Sequence, residues 1–588
     1  MRKEITKLRS AMKKHGIDAY IVPTGDFHGS EYIHDYFKSR AFLSGFTGSA
    51  GTLVVTHSDA LLWTDGRYFL QGEMQLKGSG ITLMKDGLPN VPSIADFLSS
   101  LLGKGQTLGF DGKVMPYAAG LLYETISLKS GFNIDYSLDL LSEIWEDRPA
   151  LTASPLWELP LEYAGKIFDQ KLSEIRSFIK EKNATHLLLC SLEENAWLYN
   201  LRGSDVLYTP VFLGFTMISE KSVTLYAFES AFENVSLPEG VTLKPYMTEN
   251  RLTVSDDILA LSKDAVIALD PASCSYSIWQ SAETKTAVPC DSPASLLKSV
   301  KNDSEIRATE KAHIDDGAAV LKFIYWLKNT IGKMPITEIS ASDYLKSKRS
   351  EISDFVELSF DTISGYAQNG AIIHYSASED SNAQLMPSGF LLVDSGGQYM
   401  RGTTDITRTI ALGPLTDKMK KCYTAVLKSN IDLAMQVFDS QTPASDLDKI
   451  ARKAVNDIGY DYNHGTGHGV GHVLCVHEGP NTINKRNNKP TIRPSTITTD
   501  EPGIYIEGEF GIRLENELLC ETCIDNPDKY CFRPLTLCPF ERSAIIKEML
   551  TDEELDYLNS YHRKVYETLS PLLNEKEKEF LRAETMPL

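Results

Sequence analysis

Two proline-containing breaks, at residues 147–160 and 288–304, divide this 588-residue chain and limit what it can fold into. Proline removes a backbone donor and favours an extended residue before it, so the first stretch is predicted to be a linker rather than a helix or strand, and the second leads into a helical pattern. A chain of this length also exceeds a single hydrophobic core. We therefore predict domains at 1–150, 151–300 and 301–588.

The first two segments follow one plan. Each begins with an amphipathic helical pattern, at 5–15 and at 172–182, and continues with an apolar strand, a glycine-containing turn and hairpin-like strands. Strands that alternate with helices indicate α/β layers. The sequence therefore predicts two related α/β domains ahead of the third segment.

Composition disfavours several partners. Asp and Glu total 79 against 59 Lys and Arg, a net charge of -20 that repels phosphate backbones and anionic lipid. Neither nucleic acid nor a membrane is an expected partner. The N-terminal residues lack the apolar stretch of a signal peptide, and no window has the ~20 apolar residues of a membrane span. The nine cysteines suit free thiols in a reducing compartment, so a cytoplasmic location is expected.

Two aspartates flank a turn in the third segment. Asp394 ends the apolar run 390–393, and Asp405 begins a second strand-like run. A hairpin would bring both carboxylates to one end of a sheet, where a partly buried anion requires a cation. Taken alone, the pair is more often explained as turn or capping aspartates.

A glycine-rich stretch at 464–472 carries His464, His468 and His472. Gly465 and Gly467 disfavour the helix on which spaced histidines bind zinc, and they permit close approach of the backbone to an ion or substrate. A flexible surface loop is the alternative, and His472 receives no role.

Carboxylates recur further along the chain. Glu501 precedes a Pro-Gly pair, and Arg513, Glu515 and Glu517 alternate with apolar residues in a predicted strand at 512–519. Strand periodicity places these three charged side chains on one face. Taken alone, a solvated face of ion pairs is the commoner origin of this pattern.

Together and in this order, these stretches resemble the aminopeptidase P (Xaa-Pro aminopeptidase) branch of the pita-bread metallopeptidases. Seven blocks carry the resemblance, at 369–375, 393–396, 404–409, 464–471, 476–480, 501–503 and 513–516. Blocks at 46–51 and 64–71 resemble the first domain of the three-domain cytosolic form, and 163–165 and 561–573 resemble its middle and closing segments. The resemblance implies an α/β (α+β) chain in which two related α/β domains precede a pita-bread catalytic domain.

The resemblance also implies a site for two divalent metal ions. Its ligands correspond to Asp394, Asp405, His468, Glu501 and Glu515, with Asp405 and Glu515 bridging the ions. Four carboxylates balance two divalent charges, and an oxygen-rich set without thiolate favours Mn²⁺, with Zn²⁺ or Co²⁺ left open. Such ions lower the pKa of a shared water, which implies a bridging hydroxide as the nucleophile.

The histidines outside the ligand set take roles by the same resemblance. His374 and His477 are expected to line the substrate site, and one of them to donate to the developing oxyanion. His464 is expected in the pocket or behind the ligands, and the ligand His468 also lies in the substrate site.

Other roles concern charge and fit. Glu501 is the candidate for moving a proton, and Arg513, also expected at the substrate site, is the candidate for orienting Glu515 or neighbouring carboxylates. Arg67 is expected to reach the substrate, although an exposed arginine is the commoner case. Phe360 and Tyr366 are candidates for the pocket that takes a proline ring, with core aromatics equally expected.

The implied activity is release of the N-terminal residue from peptides with proline in the second position, by a homodimer. A prolyl bond is a tertiary amide without an N–H, so peptidases that need that donor fail on it. A prolidase would use the same ligands but must hold the carboxylate of a dipeptide. A non-catalytic or creatinase-like relative would lack some carboxylates. The duplicated front domains and the long tail favour the aminopeptidase.

Four cysteines near the C-terminal end resemble a zinc knuckle at first sight; they are Cys520, Cys523, Cys531 and Cys538. The first two lie in a strand-like run, which favours free thiols at a sheet edge over a second metal site.

Overall fold

The computed structural model describes residues 2–588, which divide into two compact units. The first unit comprises Met1–Leu159 and Lys166–Ala294, and the second comprises Pro160–Gly165 and Ser295–Leu588. Every helix within residues 2–588 is too short or too polar to cross a membrane. The domain boundaries at 150 and 300 stay predictions.

Two six-stranded sheets of identical topology form the first unit. The strand order of the first is Thr82–Lys85, Ala60–Thr64, Thr52–Thr56, Ala19–Pro23, Thr107–Phe110 and Asn133–Asp135. The order of the second is Val241–Pro245, Val223–Ala227, Gly214–Ser219, His186–Leu189, Val266–Leu269 and Thr286–Pro289. Successive pairings in both sheets are parallel, antiparallel, antiparallel, parallel and parallel. The predicted duplication of one α/β plan is confirmed.

Helices cover these sheets through apolar faces, as the first helix shows. In Lys3–His15, the buried residues Ile5, Leu8 and Met12 recur at helical spacing, and Gly16 ends the helix with a φ of 69°. The other helices of this unit are Ser39–Ser44, Phe69–Gln75, Ile94–Leu101, Tyr117–Ser130, Leu141–Ile144, Phe168–Glu181, Leu192–Tyr199, Thr253–Ala260 and Tyr276–Glu283.

The predicted breaks contain more structure than expected. Trp157–Glu158, inside the first break, forms a short strand that pairs with Leu201–Arg202, and Met247–Thr248 pairs with Arg251–Leu252 elsewhere in the unit. In the second break, the helix Pro293–Ser299 begins at a proline. The first helical position tolerates proline because a backbone N–H there would have no acceptor within the helix. The prediction that the first break is a linker without secondary structure is therefore partly wrong, whereas the second break leads into the helix Asp303–Thr330 as expected.

The second unit contains three larger sheets and one hairpin. One three-stranded sheet contains Phe355–Leu358, Gly397–Tyr399 and Gly402–Thr403. The other contains Ile363–Tyr366, Phe390–Ser395 and Ile406–Ala411. The six-stranded sheet runs Val437–Asp439, Asn526–Pro534, Asn516–Cys523, Ile497–Asp500, Gly467–Gly469 and Glu478–Ile483, and the hairpin is Gly503–Ile506 with Phe510–Arg513. The helices are Leu161–Ala164, Asp303–Thr330, Glu338–Ser350, Asp417–Ala434, Ala444–Asp457, Asp552–Leu569 and Glu575–Glu584.

The predicted strand at 512–519 is broken. Phe510–Arg513 pairs with Gly503–Ile506, whereas Asn516–Cys523 joins the six-stranded sheet, and Glu515 lies between them. Its backbone N–H donates to Thr407 of the neighbouring sheet at 3.1 Å. The predicted single strand is therefore two strands in different sheets, and the break between them lies at the candidate ligand Glu515.

Packing of the hairpin determines which way Arg513 points. Ile504, Ile512 and Leu514 are buried in one core with Tyr423 of the helix Asp417–Ala434. Because side chains alternate across a strand, the intervening Arg513 is directed to the opposite face, as the sequence predicted.

A buried ion pair joins two helices to the chain that follows Asp394. Arg349 Nε donates to Asp316 Oδ1 at 2.6 Å, and the Tyr399 hydroxyl donates to the same oxygen at 2.6 Å. Arg349 Nη2 also reaches the Ser395 carbonyl at 3.4 Å. Burial raises the pKa of Asp316, but Arg349 more than offsets this, so the pKa lies below its usual value.

Arg349→Ala should lower the free energy of unfolding by about 3–5 kcal/mol, because it leaves the carboxylate of Asp316 buried without its cation. Urea and thermal unfolding measure the loss. Arg533→Ala is the control: this arginine forms partly exposed pairs with Glu310 and Glu521, so its loss should cost less than ~1 kcal/mol. Similar losses for both variants would contradict the assignment.

Candidate metal centre

All of the predicted ligands lie at strand ends or strand edges of the second unit. Asp394 is the penultimate residue of Phe390–Ser395, and His468 is the central residue of Gly467–Gly469. Asp405 directly precedes Ile406–Ala411, Glu501 directly follows Ile497–Asp500, and Glu515 directly precedes Asn516–Cys523. Strand pairing therefore delivers side chains that are far apart in sequence to one region.

The side chains converge on one point. Ligand atoms of Asp405, His468 and Glu515 all lie within 4.8 Å of one another. His468 Nε2 is 3.5 Å from Asp405 Oδ2 and 3.7 Å from Glu501 Oε1. The Thr407 hydroxyl donates to Glu515 Oε2 at 2.7 Å and orients that carboxylate.

Burial and charge test whether these residues fit metal ions. Within residues 2–588, Asp394 Oδ1 and Asp405 Oδ1 are buried oxygens without a hydrogen-bond partner. Burial raises the pKa of Asp405 and of Glu515 well above the usual values, and the neighbouring carboxylates raise both further. Crowded anions with unused lone pairs require positive charge. The donor set therefore fits divalent cations.

The tautomer of His468 follows from one contact. Its Nδ1 lies 2.9 Å from the Gly469 carbonyl oxygen, and because a carbonyl only accepts, Nδ1 carries the proton. Nε2 then presents a lone pair toward the carboxylates, as a metal-binding imidazole does.

Arg513 lies behind this centre, in contact with Asp394. Its Nη2 and Nε donate to Asp394 Oδ2 at 2.6 and 3.1 Å, and its Nη1 donates to the Tyr505 hydroxyl at 2.7 Å. Tyr505 in turn lies 2.8 Å from His464 Nε2, while His464 Nδ1 lies 2.7 Å from the Gly465 carbonyl. Burial lowers the pKa of His464 well below its usual value, and Arg513 lowers it further. His464 is therefore a neutral imidazole whose two nitrogens are both engaged.

His477 lies beside the ligand histidine. Its ring centroid is 4.3 Å from that of His468, with the two planes nearly perpendicular at 88°. The next residue, Glu478, is buried and accepts from Lys298 Nζ at 2.8 Å and from Lys301 Nζ. No pattern in the sequence indicated this buried cluster, which anchors the start of the strand that follows His477.

His374 directly follows Ile373, whose carbonyl Arg513 contacts. It follows the short 3-10 helix Ala367–Ala371, and Arg513 Nη2 reaches the carbonyl of the preceding Ile373 at 3.4 Å. Its charge also contributes to lowering the pKa of His464, after burial and Arg513. His374 is therefore near the centre.

Two candidates for the substrate pocket have different outcomes. Tyr366 lies opposite Leu391 in the sheet, whereas Asp394 lies opposite Ile363, so alternation directs Tyr366 to the other face. Its hydroxyl donates to the Ser388 carbonyl at 3.0 Å. The prediction for Tyr366 is wrong. Phe360 is buried and its role stays a prediction.

Arg67 belongs to the first unit. Its Nε and Nη2 donate to Asp65 at 2.9 and 2.8 Å, and it lines a cavity of about 330 Å³ together with Glu31 and Tyr123. Its contact with substrate stays a prediction.

Glu517 contacts Asp405, and His313 contacts Glu517. No role was predicted for either residue from the sequence. Glu517 Oε1 accepts from the Asp405 backbone N–H at 2.7 Å, and its Oε2 lies 3.1 Å from His313 Nε2. Burial lowers the pKa of His313, but Glu517 more than offsets this, so the pKa is raised. The alternation of charged and apolar residues predicted that Glu517 lies on the same face as Glu515. Because Glu517 is completely buried, the alternative of a solvated face of ion pairs is wrong. Nothing in the sequence pattern indicated His313.

The four cysteines near the C-terminal end lie outside the group of side chains that could hold an ion. Within residues 2–588, the side chains grouped closely enough to hold an ion are those of Asp405, His468 and Glu515. All nine cysteines are free thiols. The predicted edge position is wrong for Cys520 and Cys531, which lie opposite Phe532 and Val437 in interior strands of the six-stranded sheet. His472 is buried, with its Nδ1 3.2 Å from the Thr309 hydroxyl.

Comparison with known families covers nearly the whole chain. Residues 307–522 match metallopeptidase family M24 and 528–588 its C-terminal region, while 4–130 and 147–305 match creatinase/prolidase N-terminal domains. Xaa-Pro aminopeptidase 1 of Dictyostelium discoideum is 37% identical over 100% of this chain and 96% of its own.

Solved structures agree with this match. The X-prolyl aminopeptidase of Caenorhabditis elegans, named as a cytosolic enzyme with a di-nuclear active site, has a TM-score of 0.93 at 31% identity, covering 100% of this chain and 99% of that one. The Xaa-Pro dipeptidase of Bacillus anthracis has a TM-score of 0.52 at 23% identity and covers 64% of this chain and 100% of its own, which shows a shared fold.

The fold and the converging carboxylates define a metallopeptidase of family M24. Within that class, the chain belongs to the Xaa-Pro aminopeptidase (aminopeptidase P) family. The predicted resemblance is confirmed, as is the predicted fold of two creatinase-like α/β domains followed by a pita-bread domain.

Removing metal should make stability depend on pH. Because the folded pKa values of Asp405 and Glu515 are raised, their contribution is present below the unfolded pKa of about 4 and is lost as pH rises through the raised values. The unfolding temperature of the chelated protein should therefore decrease as the pH is raised from about 4 to neutrality. Adding Mn²⁺ at ~100 times its Kd should restore about 2.7 kcal/mol at neutral pH.

Differential scanning calorimetry across pH, with and without Mn²⁺, checks this. Asp405→Ala is the control, since a protein without this carboxylate should respond to Mn²⁺ far less. A Mn²⁺ effect that is equal in both proteins would contradict the assignment.

Proposed function

We propose that this protein hydrolyses the peptide bond before a proline in the second position and so releases the N-terminal residue. The observation that carries the proposal is the convergence of Asp405, His468 and Glu515 on one point, within a chain that matches Xaa-Pro aminopeptidases over its full length. Its substrates are peptides with a penultimate proline, and it acts as a cytoplasmic homodimer.

The proposed metal ligands are Asp394, Asp405, His468, Glu501 and Glu515, which would hold two divalent ions. The excess of carboxylate over imidazole supports Mn²⁺ over Zn²⁺ or Co²⁺. When bound, the ions activate a water and polarise the scissile carbonyl.

The chain's own residues orient the reactants and move protons. Glu501 is partly exposed at the centre and is proposed to carry the proton to the leaving nitrogen. His374 and His477 are proposed to contact the substrate, and one of them to donate to the oxyanion. The ring of His477 packs against that of His468.

His464 and Arg513 are proposed as positioning residues. The nitrogens of His464 are engaged by Gly465 and Tyr505, so it is a poor proton carrier. Arg513 is buried and directs its fork to Asp394, so it holds that ligand in place.

The histidines outside the ligand set provide a first test. His374→Ala and His477→Ala should each lower kcat by at least ~10²-fold with metal content retained, because each removes a group proposed to contact the substrate as oxyanion donor or proton carrier. Steady-state kinetics and metal analysis measure both effects. His186→Ala, in the first unit, is the control and should change kcat little. Equal losses in all three variants would indicate an effect on folding.

Substrate selection provides a second test. An Xaa-Pro-Xaa tripeptide should be cleaved well, its N-acetylated form hardly, and Xaa-Ala-Xaa much more slowly. Single misplaced methylenes are worth only about 1–3 kcal/mol, so preference of this kind requires the pocket and the metal geometry together. Chelation should abolish cleavage and Mn²⁺ should restore it. Rapid cleavage of Xaa-Pro dipeptides, with longer peptides left intact, would favour a prolidase.

A further inference from the structure

His374 sits on a segment with little secondary structure of its own. Within 367–383, the 3-10 helix Ala367–Ala371 is followed by turns and irregular chain. An irregular segment can hold a side chain in one place only if the surrounding structure anchors it.

A single buried carboxylate anchors both ends of this segment. Glu338 is completely buried at the first position of the helix Glu338–Ser350. Its Oε1 accepts from the Tyr366 backbone N–H at 2.7 Å and from Asn369 Nδ2 at 3.0 Å. Its Oε2 accepts from the Tyr375 hydroxyl at 2.8 Å and from the Ala383 backbone N–H at 2.7 Å. The donors therefore come from positions before and after His374.

The opposite side of the segment packs against the strand that carries Arg513. A Cβ built on Gly511 would lie 1.7 Å from the Gly370 carbonyl oxygen, so the two backbones are in direct contact. Arg513 Nη2 reaches the Ile373 carbonyl at 3.4 Å. The segment is thus held between Glu338 on one side and this strand on the other.

We propose that Glu338 is a positioning residue for His374, acting through the hydrogen bonds that hold the two ends of its segment. An ionised carboxylate accepts only, which matches four donors. Glutamine at this position would direct its own N–H groups at some of those donors. The inference rests on the proposed catalytic role of His374.

A double-mutant cycle separates positioning from general damage to the fold. Glu338→Gln should lower kcat by about 10- to 100-fold, the range seen when support of a reacting group is lost. In a His374→Ala background it should cause little further loss, because the group through which it acts is gone. In a His477→Ala background the full loss should remain. Metal content should be unchanged throughout.

Hydrogen exchange supplies a readout independent of turnover. The Tyr366 and Ala383 amides donate to Glu338, so at least one of them should exchange faster in Glu338→Gln, with or without His374. Tyr375→Phe, which removes one donor and keeps the ring, should show a smaller loss of kcat with the same dependence on His374.

Glu541→Gln is the matched control. This buried carboxylate accepts from the Ala411 backbone N–H at 3.1 Å and pairs with Lys328, away from the segment of His374. It should leave kcat unchanged at temperatures where the protein is folded.

Two results would be decisive against these assignments. If Glu338→Gln costs the same factor in the His374→Ala background as in the wild type, Glu338 does not act through His374 and the inference is overturned. If His374→Ala alone leaves kcat unchanged, the proposed role of His374 fails instead, and unchanged exchange at Tyr366 and Ala383 would then also exclude the anchoring by Glu338.

Discussion

The concentration of buried negative charge at one point is the constraint on which the catalytic unit depends. Asp394, Asp405 and Glu515 are almost inaccessible to solvent, and two of their oxygens have no hydrogen-bond partner within residues 2–588. Anions in such a place are tolerated only with cations nearby. Arg513 neutralises part of the charge through Asp394, and ligand atoms of Asp405, His468 and Glu515 lie close enough together to hold a cation.

The surrounding structure orients each of these groups through a second contact. Thr407 donates to Glu515, and Glu517 accepts from the backbone of Asp405 while it pairs with His313. Because Thr407 and Glu517 are themselves buried, the candidate ligand atoms are held before any ion or substrate arrives. Glu338 is proposed to have a comparable role for the segment of His374, and the buried Glu478 directly follows His477 in the chain.

Sequence reasoning succeeded where a local pattern carries the information. Apolar runs that end in Asp394, glycines that exclude a helix around His468, and alternation around Arg513 were all interpreted correctly, because strand ends and side-chain faces depend on neighbouring residues. Predictions from the sequence were wrong where strand pairing with residues far away in the chain determines the structure. The pattern at 512–519 looks like one strand, yet its two halves pair with different sheets. Tyr366 is near His374 in sequence but faces the core, since its register with Leu391 is set by another strand.

By itself, the sequence determined the duplicated α/β plan, the family to which the chain belongs and the chemical types at the centre, because order, spacing and hydrophobic periodicity are properties of the chain itself. Only the tertiary structure decided which groups are buried and which partners they meet. His313, Glu338, Lys298 and Lys301 carry no local signal, since their roles depend on contacts with residues tens to hundreds of positions away. Their ion pairs and hydrogen bonds become strong only when folding removes water from around them, which the order of residues does not express.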